Sequence, residues 1–179
     1  NWALERGRLM HKLLETLPDI DEAEREGATE RFLDAALDER FYEMRPQLTA
    51  DIRQILTDPA LAPLFYAGAQ AEVPVVGTVT ASDGKDVSIS GQIDRLIVEA
   101  DRVLIVDYKT NHTPPESPDF IPQEYVAQLA VYRKLLQQIY PDKQVEAALL
   151  WTSVPSLMPV PQLLLDETFA RLRSDGVPA

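Results

Sequence analysis

Two aspartates and one lysine are the residues whose types and spacing point most directly to chemistry. Asp107 and Lys109 close the apolar run from Val103 to Val106, and Asp94 sits in a β-patterned run just upstream. Side chains alternate along a strand, so Asp107 and Lys109 share a face while Tyr108 points away. If residues 99–102 form a tight turn centred on Ala100 and Asp101, residues whose numbers sum to 201 face each other across a hairpin. Asp94 then meets Asp107, and Gln92 meets Lys109. Directly opposed side chains lie about 4.5–5.5 Å apart at Cβ, where like charges destabilise a sheet. A hard divalent cation removes that penalty, since Mg²⁺ takes carboxylate oxygens at about 2.0–2.1 Å and retains several waters. A lysine beside it is placed to orient a water and to stabilise charge growing on a phosphoryl group. The expected chemistry is metal-assisted phosphodiester hydrolysis without a covalent intermediate. The plainer alternative is ordinary surface charge on an amphipathic sheet. Against it, residues 103–106 read as a strand buried on both faces, where Asp-x-Lys needs a reason.

His11 falls with Leu4, Gly7 and Leu14 on one face of an N-terminal helix, and that face is expected to point inward. Taken alone, His11 reads as a core histidine with one satisfied hydrogen bond. Beside an acidic pair it reads as a metal ligand, with imidazole suiting Mn²⁺ as well as Mg²⁺. Gln128 and Tyr132 are four residues apart on a later helix and share a face with Tyr125, at the edge of the stripe Leu129, Leu136 and Ile139. They could bind a phosphate, hold Lys109 in place, or simply pack the aromatic edge of the helix on the sheet. Glu72 is a weaker candidate in the first strand. His112, among prolines, is expected in an exposed loop.

The elements needed to position these residues follow from periodicity. Helices are expected over residues 3–17, 29–42 and 48–56, with a short one after Asp58 and Pro59. Strands follow over residues 71–79, 87–98 and 103–109, the first ended by the turn signal Ser82, Asp83 and Gly84. A proline-broken stretch leads to a helix over 123–140, a strand over 145–152, a short strand over 160–165 and a last helix from Asp166. A central mixed sheet flanked by helices makes this an α/β or α+β fold. Residues 1–66 form its helical N-terminal part, and 67–179 its sheet core, in one domain.

The chain has 179 residues, 45% of them apolar, which suits one domain with a sizeable core. It contains no cysteine, which excludes disulfides, thiol nucleophiles, zinc–thiolate sites and iron–sulfur clusters. No run of apolar residues is long enough for a membrane span, and no secretory signal opens the chain, so no membrane role and a cytoplasmic location are expected. Asn1 is not an initiator methionine and a helix begins almost at once, which points to a piece of a longer polypeptide. The formal net charge of −12 argues against free-standing nucleic-acid binding, because affinity for phosphates comes mainly from Lys and Arg. Bound metal, or a partner that delivers the strand, would offset it.

Four segments in order resemble one family: Gly7 to His11, Gly91 to Leu96 with Asp94 inside it, Ile105 to Thr110, and Gln128 to Tyr132. They resemble the RecB-like branch of the PD-(D/E)XK nucleases, and within it the C-terminal nuclease domain of AddA-type helicase-nucleases. The segment from Ala148 to Thr152, followed by Leu157, Met158 and Pro159, looks like the same group. The resemblance spans most of the chain and implies a restriction-endonuclease-like core. It also implies Mg²⁺ or Mn²⁺ held by His11, Asp94, Asp107 and the Tyr108 carbonyl, catalysis by Lys109, and support from Gln128 and Tyr132. AddB-type relatives carry a cysteine-held iron–sulfur cluster, which this chain cannot. The implied partners are single-stranded DNA, an upstream helicase domain in the same polypeptide and an AddB-like subunit, with a role in double-strand-break repair. No G-x-x-x-x-G-K-[ST] loop occurs, so no nucleotide site is expected in the chain itself.

Two rival readings use the same residues. One is a non-catalytic interaction domain that keeps the fold, against which an intact Asp94, Asp107 and Lys109 argue. The other is a stand-alone exonuclease.

Overall fold

The computed structural model describes residues 1–66 and 68–178. They divide into two compact units: Asn1–Ala69 with Tyr108–Pro114 and Trp151–Ser156, and Gln70–Asp107 with Pro115–Leu150 and Leu157–Ala179.

The first unit is helical. Helix α1 (Trp2–Thr16) starts where the Asn1 side chain accepts a hydrogen bond from the Ala3 N–H at 2.9 Å, and it ends where Pro18 enters a 3₁₀ turn. Its buried stripe is Arg6, Leu9, Met10, Leu13 and Leu14. The stripe is rotated from the expected one: Leu4 is exposed and His11 only half-buried. Leu9, Met10, Leu13 and Leu14 outweigh the pairing of Leu4 with Gly7, because apolar area decides which face turns inward. Helix α2 (Glu22–Ala36) begins seven residues before the expected Thr29 and ends before Tyr42. It buries only Thr29 and Leu33, so its acidic first turn at Glu22 and Glu24 defines the start, not an apolar stripe. The remaining residues 39–44 wind as 3₁₀ helix, capped by Asp38. Helix α3 (Arg45–Thr57) buries Leu48, Ile52 and Ile55. The short helix after Pro59 is a single 3₁₀ turn, Ala62–Leu64.

The second unit holds most of a five-stranded mixed sheet in the order β1 (Gln70–Thr80), β2 (Asp86–Val98), β3 (Arg102–Lys109), β4 (Gln144–Trp151) and β5 (Ser156–Val160), of which Tyr108, Lys109, Trp151 and Ser156 belong to the first unit. β1 and β5 are the edges, where Pro74 and Pro159 cost no ladder bond. β3 is central and buried through Val103, Ile105, Val106, Asp107 and Tyr108. Between β3 and β4 the chain crosses over through α4 (Gln123–Ile139), the connection a parallel pair requires. Leu129 and Leu136 of its expected stripe are buried, whereas Ile139 is exposed in the last turn. The sequence reading of the C-terminus was shifted: residues 162–165, expected as strand, open helix α5 (Gln162–Arg171). Pro161 at the helix entry has the fixed φ that suits this start, and the helix buries Leu165 and Thr168. Among the described residues, no helix is long and apolar enough to cross a membrane.

Candidate metal and nuclease site

Three carboxylates, Glu72, Asp94 and Asp107, lie on three neighbouring strands of the second unit. In the β2–β3 hairpin Arg95 pairs with Val106 and Val98 with Val103, so partners sum to 201 as the sequence reading expected. Extending this register by one step beyond the last recorded pair sets Asp94 across from Asp107. Both are nearly buried, at 8% and 7% exposure. On the other side of β2, Ala71 pairs with Arg95 and Val73 with Ile93, so partners sum to 166 and Glu72 stands opposite Asp94. Carboxylate oxygens of Glu72 and Asp94 lie within 4.8 Å of each other.

Glu72 is the residue the sequence undervalued. Reflecting the chain about Asp83, in the turn Ser82–Asp83–Gly84, would have set it opposite Asp94. Its backbone was not foreseeable: φ is +50°, the one positive value among non-glycine residues described. A non-glycine residue in this region carries strain on the order of 1 kcal/mol or more and is often retained for function. The Gln92 side-chain amide donates to the Glu72 carbonyl at 3.1 Å, and so helps to hold the irregular backbone.

The second unit also contains Gln128 and Tyr132. Tyr132 is buried and lies over Gly91, where a Cβ would come within 2.3 Å of its Oη. Gly91 is thus required by close approach of α4 to β2, three residues before Asp94. Gln128 is half-buried one turn earlier on α4.

A sequence model of the PD-(D/E)XK nuclease superfamily matches residues 2–168, nearly the whole chain. The chain belongs to the PD-(D/E)XK nuclease superfamily. No curated protein matches it. Among solved structures, that of SSO0001 is similar at 16% identity, covering 89% of this chain and 73% of that one, with a TM-score of 0.39. The superfamily consists of metal-dependent nucleases, and nuclease activity is the function that membership supports.

Lys109 is the last residue of β3. Lys109 is two residues beyond Asp107, so strand alternation sets both on one face with Tyr108 on the other. Lys109, Tyr108 and His11 belong to the first unit. There the His11 and Tyr108 rings meet edge to face at 5.3 Å between centroids, and Gly7 of α1 packs against Thr110. The Lys109 carbonyl accepts the Thr152 N–H at 2.9 Å, which fixes the end of the strand. His112 is exposed in the following loop, as expected. The donor set fits a hard divalent cation. Aligned carboxylate oxygens are the ligands Mg²⁺ and Mn²⁺ prefer, and no thiolate is present to favour a softer ion.

Proposed function

We propose that this domain cleaves phosphodiester bonds in single-stranded DNA, with Lys109 as the catalytic residue at the scissile phosphate. The ion, Mg²⁺ or Mn²⁺, would be held by His11, Glu72, Asp94 and Asp107. The observation that carries this reading is the row of three carboxylates on adjacent strands, with a lysine two residues beyond the last of them. Within the second unit, Glu72 and Asp94 bring carboxylate oxygens within 4.8 Å of each other, and the family resemblance adds His11 as a ligand. When bound, the ion supplies Lewis-acid polarisation of a phosphoryl oxygen and acidifies a water molecule.

The chain's own part is positional and electrostatic. The Lys109 ammonium donates N–H bonds to a phosphate oxygen, and these strengthen as negative charge gathers there in the transition state. β3 carries Asp107 and Lys109 together, so any shift of that strand moves ligand and lysine as one. The Tyr108 carbonyl offers a further hard oxygen. Gln128, with Tyr132 one turn on, supplies an amide that can orient Lys109 or a phosphate.

The finer assignment rests on resemblance and charge. A chain with net charge −12 has little electrostatic pull on DNA, which suits a domain fed by another element. An AddA-type arrangement, with a helicase domain in the same polypeptide and an AddB-like partner, provides that delivery during double-strand-break repair. The test is Mg²⁺-dependent cutting of single-stranded DNA by the wild type and by Lys109→Ala and Asp107→Ala. The reading expects each substitution to lower kcat by at least about 100-fold. Undiminished cutting would remove these residues from catalysis.

A further inference from the structure

A buried polar network in the first unit ends on the backbone of Lys109. Arg6, on α1, is 9% exposed, and its guanidinium makes three bonds. It donates to Asp51 Oδ2 at 2.8 Å, to the Thr152 hydroxyl at 3.1 Å and to the Thr152 carbonyl at 3.0 Å. The other Asp51 oxygen accepts the Gln47 amide at 2.7 Å. Thr152 is fully buried, and both its donors reach the Lys109 carbonyl, the N–H at 2.9 Å and the hydroxyl at 3.3 Å. Immediately beyond, the Ser153 hydroxyl donates to the Asn111 carbonyl.

A hydrophobic pair would be simpler if α1 and α3 only needed to be joined, because buried ion pairs are often no more stabilising than well-packed apolar side chains. What the planar guanidinium adds is direction: one fork binds the Asp51 carboxylate and both oxygens of Thr152 at once. Thr152 passes that constraint to the Lys109 peptide. Side chains occupy staggered rotamers on a given backbone, so fixing the peptide fixes the directions open to the lysine.

We infer that Arg6, through Thr152, is a positioning residue for Lys109. This rests on the catalytic reading of Lys109 given above. Arg6 stands one and a half turns before His11 on the same helix, so its anchor also sets the rotation of α1 about its axis. Lysine at position 6 keeps the charge but loses the fork.

The test measures Mg²⁺-dependent cutting of single-stranded DNA by the 179-residue chain, with kcat expressed per folded molecule. Arg6→Lys and Thr152→Val are expected to lower kcat by about 10- to 100-fold while KM changes less than about twofold, the signature of misplacement without lost binding. Thr152→Ser, which keeps both donors, should retain wild-type kcat. A purely structural role would lower the melting temperature and the folded fraction and leave kcat per folded molecule unchanged. If Arg6→Lys does not fold, Thr152→Val against Thr152→Ser decides alone. Loss of cutting in Lys109→Ala with unchanged kcat in Thr152→Val overturns this inference only. Unchanged cutting in Lys109→Ala overturns the catalytic reading and the inference together.

Discussion

Glu72→Gln separates the electrostatic cost of the carboxylate row from its use. Two unit charges 4.8 Å apart repel by about 3 kcal/mol at an effective dielectric of about 20. Glu72 is half-buried, and solvent screening reduces this to about 1–2 kcal/mol. Glutamine keeps the volume and removes the charge, so in a metal-free buffer the variant should be the more stable protein. For a chain of this size that corresponds to a melting temperature higher by about 2–8 °C. Added Mn²⁺ should close most of that gap. At 100 times its dissociation constant a ligand stabilises the folded state by about 2.7 kcal/mol, and a tenfold loss of affinity cuts this to about 1.4 kcal/mol. The assay is thermal unfolding followed by circular dichroism, with chelator and then across a Mn²⁺ titration. A variant that melts below the wild type in chelator, yet gains as much from Mn²⁺, would refute the repulsion argument.

Gly91→Ala should cost about 1–3 kcal/mol, since its Cβ would meet Tyr132 Oη at 2.3 Å and α4 would have to lift from β2. Chemical denaturation measures this, and Tyr132→Phe in the same background should recover part of the loss. At the β1–β2 turn, Asp83 accepts hydrogen bonds from the Ser174 hydroxyl and N–H, which hold its carboxyl below the ordinary value of 3.8. A depressed folded pKa contributes stability above the unfolded value and loses it as pH falls through the folded one. Asp83→Asn should therefore lower the melting temperature at pH 7 and converge on the wild type once the pH falls below the depressed folded value.

The site's central hairpin was legible because two residues in a tight turn define a register by arithmetic, and the bond from the Glu99 N–H to the Arg102 carbonyl closes that turn as expected. The same arithmetic about Asp83 would have raised Glu72 to equal rank with Asp94. Its positive φ has no sequence signature, because glutamate is not a residue that favours the left-handed region. Helix α2 was misplaced since it buries so little apolar surface that periodicity had nothing to mark. Residues 162–165 misled for the opposite reason: three consecutive leucines fit a buried strand as well as a helix, and only Pro161 at the entry separates the two. The Arg6 network was invisible because it joins residues up to 146 positions apart.

The proposed chemistry requires a divalent ion held by the carboxylates of the sheet. Isothermal titration of Mn²⁺ into the wild type and into Asp94→Asn and Asp107→Asn measures that directly. Saturable binding by the wild type, weakened at least about tenfold in each variant, is the predicted result. Absence of binding to the wild type, or equal binding by all three proteins, would contradict it.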